Sequence, residues 1–321
     1  MTAIIETRGL VKRYDGELAV AGIDLVVAPG EIYGLVGPNG AGKTTTMRIL
    51  ATLLAPTAGE AFVCGVGVTA DPIEVRRRIG YMPDFYGVYD DMRVWEYLDF
   101  FARCYSVPAA RRVGMIGELL EIVGLGDRRN SYVEALSRGM RQRLCLAHTL
   151  VHDPQLLILD EPASGLDPRA RVEMREILRE LSGMGKTILV SSHILPELAE
   201  LCTSVGIMDH GRLLRSGRID EIERSLRATA LLRIEVLSDP AAAIEWLGTD
   251  ERVGDVLDVS GAGLTRLDVP FDGSADEQAT FLRSMIDAGH IVSSFSQTTS
   301  DLEEIFLKVT GQDGNEEETA A

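Results

Sequence analysis

The segment Gly37-Pro38-Asn39-Gly40-Ala41-Gly42-Lys43-Thr44 decides the fold of this chain. It follows the apolar run EIYGLV (31–36) and opens the helix-forming stretch KTTTMRILATLLA (43–55). The spacing is G-x-x-x-x-G-K-[ST], and a strand before it with a helix behind it is the context that gives the pattern meaning. Glycines let successive backbone N–H groups point into one concavity, and the following helix aims its positive end at the same place. A chain of phosphates fits such a cradle. Lys43 adds a mobile charge for the β- and γ-phosphates, and Thr44 offers a hydroxyl to Mg²⁺. Chance would place the pattern in roughly one chain in a hundred of this length, and lysine is scarce here, with four in the whole sequence. The candidate nucleotide-binding residues are therefore Gly37, Pro38, Asn39, Gly40, Ala41, Gly42, Lys43, Thr44 and Thr45.

Outward from this loop the same rhythm repeats. QLLILDEP (155–162) precedes the helical ARVEMREILRELSGMG, and TILVSSH (187–193) precedes the helical ILPELAELC. Near-continuous apolar strands between amphipathic helices indicate a parallel sheet covered on both faces. Residues 85–150 break the alternation: MRVWEYLDFFARCY and RRVGMIGELLEIVGL place apolar residues at i, i+3, i+4 and i+7 and read as a helical insert. Asp160, at the carboxyl end of a buried strand, is placed to hold Mg²⁺ directly or through water, and Glu161 is the candidate to polarise an attacking water. Ser137 and Gly139 in LSRGMRQR (136–143) open another helix, with a hydroxyl and backbone donors at its positive end; taken alone the serine is an ordinary N-cap.

From about residue 221 the rhythm changes. LLRIEVL is a strand, PAAAIEWL a helix, VGDVLDVS and LTRLDVPF a strand pair around Gly261-Ala262-Gly263, ADEQATFLRSMIDAGH a helix closed by Gly289, and IVSSFSQ a strand. That βαββαβ order is the ferredoxin-like arrangement. A helix, SDLEEIFLKVTG, and an acidic tail over 312–321 that reads as disordered follow. Of the net charge of −17, residues 216–321 carry −14 and residues 1–215 only −3. The step in charge density supports a domain boundary near 220, with an accessory domain over 221–311.

Taken together, the chain resembles the ABC ATPase family. The glycine loop, LSRGMRQRL, LLILDEP, SGLD (164–167) and the histidine of VSSH occur in the family's order at similar spacings. The resemblance covers about residues 3–220. It implies a P-loop ATPase fold, α/β with a mostly parallel sheet, binding ATP with Mg²⁺ in a head-to-tail dimer. Ser137 and Gly139 then contact the γ-phosphate of ATP on the other subunit, Asp167 shapes the dimer contact, and His193 holds the γ-phosphate and attacking water beside Glu161. Tyr14, in VKRYDG, matches the aromatic that stacks on adenine, against the plainer reading of a buried tyrosine. The chain departs from the family pattern in two places. Arg138 and Met140 replace the third and fifth residues of LSGGQ, and Asp84 stands where a Mg²⁺-touching glutamine follows IGYMP. Either Asp84 substitutes for that glutamine or the loop is shifted; substitution is the expectation, since a carboxylate also suits a hard cation.

The resemblance further implies separate integral-membrane permease subunits and a peripheral place on the cytoplasmic face of the cell membrane. No stretch approaches the ~18 apolar residues of a span, and Glu6 and Arg8 fall where a signal peptide needs its apolar run. Cys64, Cys104, Cys145 and Cys202 form no CxxC pair and read as reduced thiols. Phe85, Tyr86, Tyr89 and Trp95 read either as core or as a cleft receiving a helix of the membrane subunit. One nucleotide domain with a C-terminal extension looks like the export-type branch, for drugs or polymers. The alternatives are a soluble ABC ATPase acting on nucleic acid or ribosomes, which the acidic balance opposes, and an importer.

Overall fold

A computed structural model describes residues 3–85, 87–222 and, apart from 238, 251, 255, 259–264 and 272, residues 230–298. The chain divides into two compact units, Met1–Ile219 and Asp220–Ala321.

The first unit holds two sheets. Strands β3 (Ile32–Val36), β6 (Ile79–Met82), β7 (Leu156–Leu159), β8 (Thr187–Ser192), β9 (Ser204–Asp209) and β10 (Arg212–Arg218) form one of them, in the order β10-β9-β3-β8-β7-β6. All neighbours are parallel except β9 and β10, which form a hairpin. Every residue of β3, β7, β8 and β9 is buried, which is why those strands read as unbroken apolar runs. The register sets Val36 beside Ser192, Val190 beside Leu159 and Leu159 beside Met82. The glycine loop, His193, Asp160 and Asp84 thus follow the carboxyl ends of four adjacent strands, the edge where open α/β sheets bind ligands.

The second sheet is antiparallel, in the order β2-β1-β4-β5, built from β1 (Ile5–Tyr14), β2 (Glu17–Val27), β4 (Ala58–Val63) and β5 (Val66–Gly67). Sequence reasoning did not anticipate it. The β1–β2 register shifts three times, between Thr7 and Leu10, Leu10 and Val11, and Lys12 and Arg13, and each shift scrambles the alternation that advertises a strand. One core joins both sheets across α1 (Lys43–Leu50), with Ile5, Leu10, Ile23, Met47, Leu50, Ile158 and Leu189 all buried. The remaining helices of this unit are α2 (Pro72–Arg78), α3 (Val94–Cys104), α4 (Ala109–Ile122), α5 (Arg138–Thr149), α6 (Pro168–Gly183) and α7 (Leu195–Ala199). Helices α3, α4 and α5 occupy the stretch read as a helical insert.

The second unit carries an antiparallel sheet ordered β12-β13-β11-β14, from β11 (Ala230–Val236), β12 (Leu257–Asp258), β13 (Thr265–Phe271) and β14 (Val292–Thr298). Helices α8 (Pro240–Leu247) and α9 (Ala275–Asp287) belong to the same unit. Leu232, Ile234, Val236, Leu267, Val269 and Phe271 alternate into a core closed by Leu247, Phe281 and Met285. The opposite face is ionic: Arg233 lies directly across from Asp268 and pairs with it at 2.7 Å, and Arg266 across from Glu235 at 2.8 Å. The glycine turn at 261–263, the 301–311 helix and the 312–321 tail fall outside the described residues.

Candidate active site

The glycine loop is held by close approach as much as by conformational freedom. Gly42 caps α1 with φ 98°, and a Cβ there would lie 2.5 Å from the Ala19 carbonyl oxygen. At Gly37 a Cβ would meet the Met208 carbonyl oxygen at 2.3 Å. Neither position admits another residue without backbone movement. Lys43 Nζ donates to the Gly37 carbonyl at 2.6 Å and the Pro38 carbonyl at 3.1 Å, and lies 3.8 Å from a Glu161 carboxylate oxygen. Burial pushes the Lys43 ammonium below its ordinary pKa, while Glu161 and Asp160 pull the other way.

A cavity of about 450 Å³ opens on this loop. It is lined by Asn39 to Thr45, Ala19, Asp84, Glu161, Ser164 and His193. Residues far apart in sequence thus share one wall, and Asp84 is among them. Asp160 sits just behind, 1% exposed. Its Oδ1 accepts from the Ser191 hydroxyl at 2.7 Å, and its Oδ2 is buried with no hydrogen-bond partner. A buried carboxylate oxygen left free, with the Thr44 hydroxyl and Asp84 carboxylate nearby on the cavity wall, is a donor set of the hard-oxygen kind that suits Mg²⁺. Glu161 has φ 50°, in the left-handed region. Its N–H donates to Ser191 Oγ at 2.9 Å, and its other carboxylate oxygen lies 3.0 Å from His193 Nδ1.

Gly37, Pro38 and Asp160 flank the cavity without lining it, and Ser137, Gly139, Asp167 and Tyr14 also lie off its wall. Ser137 N-caps α5, its hydroxyl accepting from the Met140 N–H at 3.3 Å. A Cβ on Gly139 would stand 3.1 Å from Ala170 Cβ. Asp167 N-caps α6 through the Ala170 N–H at 2.9 Å. Tyr14 is 41% exposed rather than buried, with the Lys12 ammonium 5.3 Å above its ring. The substituted Arg138 donates to the Ser164 carbonyl at 3.2 Å, and one turn on Gln142 donates to the Pro162 carbonyl at 2.5 Å. Sequence reasoning missed Gln142 and Ser191. The signal for Ser191 was a hydroxyl at the end of an otherwise apolar strand, TILVSS. For Gln142 it was an i, i+4 partner to Arg138 on one helix face. Of the aromatics, Phe85 is 91% exposed and Tyr89 contacts the rings of Tyr97 and Phe100, while Tyr86 lies outside the described residues.

Known proteins resemble this chain along most of its length. The ABC transporter family model matches residues 20–164. The daunorubicin/doxorubicin resistance ATP-binding protein DrrA of Streptomyces peucetius is 39% identical over 99% of this chain and 96% of its own. The Nod factor export ATP-binding protein I of Cupriavidus metallidurans is 35% identical over 98% and 99%. Among solved structures, an ATP-binding subunit of an ABC transporter superposes with a TM-score of 0.63 at 31% identity, covering 69% of this chain and 92% of that one. With identity of that order running nearly end to end, the chain belongs to the ABC transporter family, as one of its ATP-binding, ATP-hydrolysing subunits.

Proposed function

We propose that this subunit powers export through separate membrane permeases, with ATP hydrolysed at the cavity on the glycine loop. The observation that carries the reading is the meeting of Lys43, Glu161, His193 and Asp84 on one cavity wall. The loop from Gly37 to Thr45 wraps the phosphates, and Lys43 balances their charge. Glu161 takes the proton of the attacking water, and His193, 3.0 Å from its carboxylate, holds that carboxylate and the γ-phosphate in line. Bound Mg²⁺ supplies charge neutralisation at the phosphates; Thr44, Asp160 and Asp84 are the residues that would hold it. Ser137 and Gly139 lie off this wall, which fits a role on the ATP of a second copy or a related subunit, with Asp167 at the contact between the two. Tyr14, exposed at the end of β1, takes the adenine.

The direction of transport comes from the relatives, whose names specify drug resistance and Nod factor export. Among the described residues no helix is long and apolar enough to cross a membrane, which fits a peripheral subunit docked on permeases at the cytoplasmic face. The exposed Phe85 suits such a contact. We assign residues 1–220 to the nucleotide-binding domain and 221–311 to an accessory domain. The strand order β12-β13-β11-β14 with two helices supports a ferredoxin-like reading of the latter. Affinity purification of the full chain from detergent-solubilised membranes tests the assignment. A multi-span protein should co-purify and raise the ATPase rate. Recovery with ribosomes or nucleic acid instead would overturn it.

A further inference from the structure

Ser191 is 1% exposed on β8, one strand away from both the glycine loop and the acidic pair. Its neighbours along the strand are apolar on one side and Ser192 on the other, so the local environment does not demand a hydroxyl. A buried hydroxyl without partners costs ~1–3 kcal/mol, and this one has two. It donates its single proton to Asp160 Oδ1 at 2.7 Å and accepts the Glu161 N–H at 2.9 Å. The two consecutive acidic residues are thus tied to one oxygen atom.

Each bond has a separate consequence. The first fixes the rotation of the Asp160 carboxylate: with Oδ1 engaged, the buried Oδ2 is the oxygen left over. The second supports a backbone that would not hold itself. Glu161 has φ 50° without being glycine, a conformation that costs L-residues roughly 1–2 kcal/mol. That conformation turns the chain out of β7 so that the Glu161 carboxylate reaches both Lys43 and His193. We infer that Ser191 is a positioning residue for hydrolysis, setting through one hydroxyl which Asp160 oxygen faces the metal and where the Glu161 carboxylate points.

The inference rests on the reading of the cavity as a Mg²⁺–ATP site, so the test separates the two. Mn²⁺ affinity is measured by electron paramagnetic resonance on the full chain with a non-hydrolysable ATP analogue, and ATP turnover is measured alongside. Wild type should bind Mn²⁺ only in the presence of nucleotide. If it binds none, the Mg²⁺–ATP reading fails before Ser191 is reached. Ser191→Ala should weaken Mn²⁺ about 10–100-fold, the usual effect of removing a group that orients a metal ligand. It should lower kcat by a similar factor while leaving metal-free nucleotide affinity unchanged. Ser191→Thr, which keeps the hydroxyl, should restore both. A merely structural serine would instead lower thermal stability and leave the metal affinity of the folded fraction alone. Should alanine prevent folding, Ser191→Thr and Ser191→Val, equal in shape and different in hydroxyl, make the same comparison. Equal Mn²⁺ affinity and kcat across the pair, or between Ser191→Ala and wild type, would overturn the inference.

Discussion

Glu161 sits between an ammonium and an imidazole, 3.8 Å from Lys43 Nζ and 3.0 Å from His193 Nδ1. A carboxylate fixed between those two groups on the cavity wall is positioned as a general base requires. Glu161→Gln keeps the shape and removes the charge. Turnover should fall roughly 10²–10⁴-fold while a fluorescent ATP analogue binds as before, and an ATP-bound dimer should accumulate on a sizing column. Wild-type turnover in this variant would remove Glu161 from the mechanism. Asp84 calls for a different measurement, because its distinction from the family glutamine is one of charge. Asp84→Gln should shift the Mg²⁺ concentration needed for half-maximal hydrolysis and leave metal-free nucleotide affinity nearly unchanged. A superimposable metal titration would take Asp84 off the metal. At this scale the sequence was most legible where chemistry needs a fixed residue type, as at Lys43 and Glu161. Of Ser191 it offered only a hydroxyl closing an apolar strand, because the importance of that residue lies in two hydrogen bonds to residues about thirty positions upstream that no local pattern records.

Among the elements, helices and buried strands declared themselves by period, since α3, α4 and β7 each keep one uninterrupted rhythm. The antiparallel sheet did not, because the three register shifts of β1 break its alternation and a bulged strand has no single period to detect. Helix α5 shows what burial adds to such a reading. Near its carboxyl end His148 stacks on Phe101 at 4.1 Å and meets Tyr97 edge-on, its Nδ1 buried without a hydrogen-bond partner. Burial, helped by the neighbouring His152, pulls its pKa from 6.5 down to about 4. The sign follows directly. Below pH ~6.5 the unfolded chain takes up a proton that the folded one refuses, so stability falls as pH drops and levels off below about 4. The slope is at most about 1.4 kcal/mol per pH unit, for a total near 3 kcal/mol. Urea denaturation between pH 7 and pH 4 should therefore show a shallower loss of stability in His148→Phe than in wild type. Identical pH dependence would mean that this imidazole charges freely in the folded protein.

For the whole molecule the decisive fact is what the cavity lacks on one side. Its wall contains Lys43, Glu161 and His193 but neither Ser137 nor Gly139, although the N-terminus of α5 is built to face an anion. A two-fold dimer resolves this, because a symmetric contact lets residue i of one copy meet residue j of the other twice over. On the reading proposed above, each cavity would be completed by the α5 terminus of the opposite copy. Subunit mixing tests that arrangement without any knowledge of the transported cargo. Lys43→Ala removes the cavity's own cation, and Ser137→Arg blocks the surface presented to the other copy; each chain alone should be inactive. In a dimer of one with the other, both lesions fall on the same composite site and the second site is untouched. Random pairing at equal amounts makes half the dimers mixed, so activity should recover to at most about a quarter of wild type if the two sites work independently. A site confined to one chain predicts otherwise, since every cavity bearing Lys43→Ala would stay dead and every cavity beside Ser137→Arg would be unaffected by its partner. Activity of the Ser137→Arg chain by itself would place the reaction within a single subunit, and absence of recovery, with mixed dimers demonstrated by differential tagging, would count against an interface-spanning site whose two halves work independently.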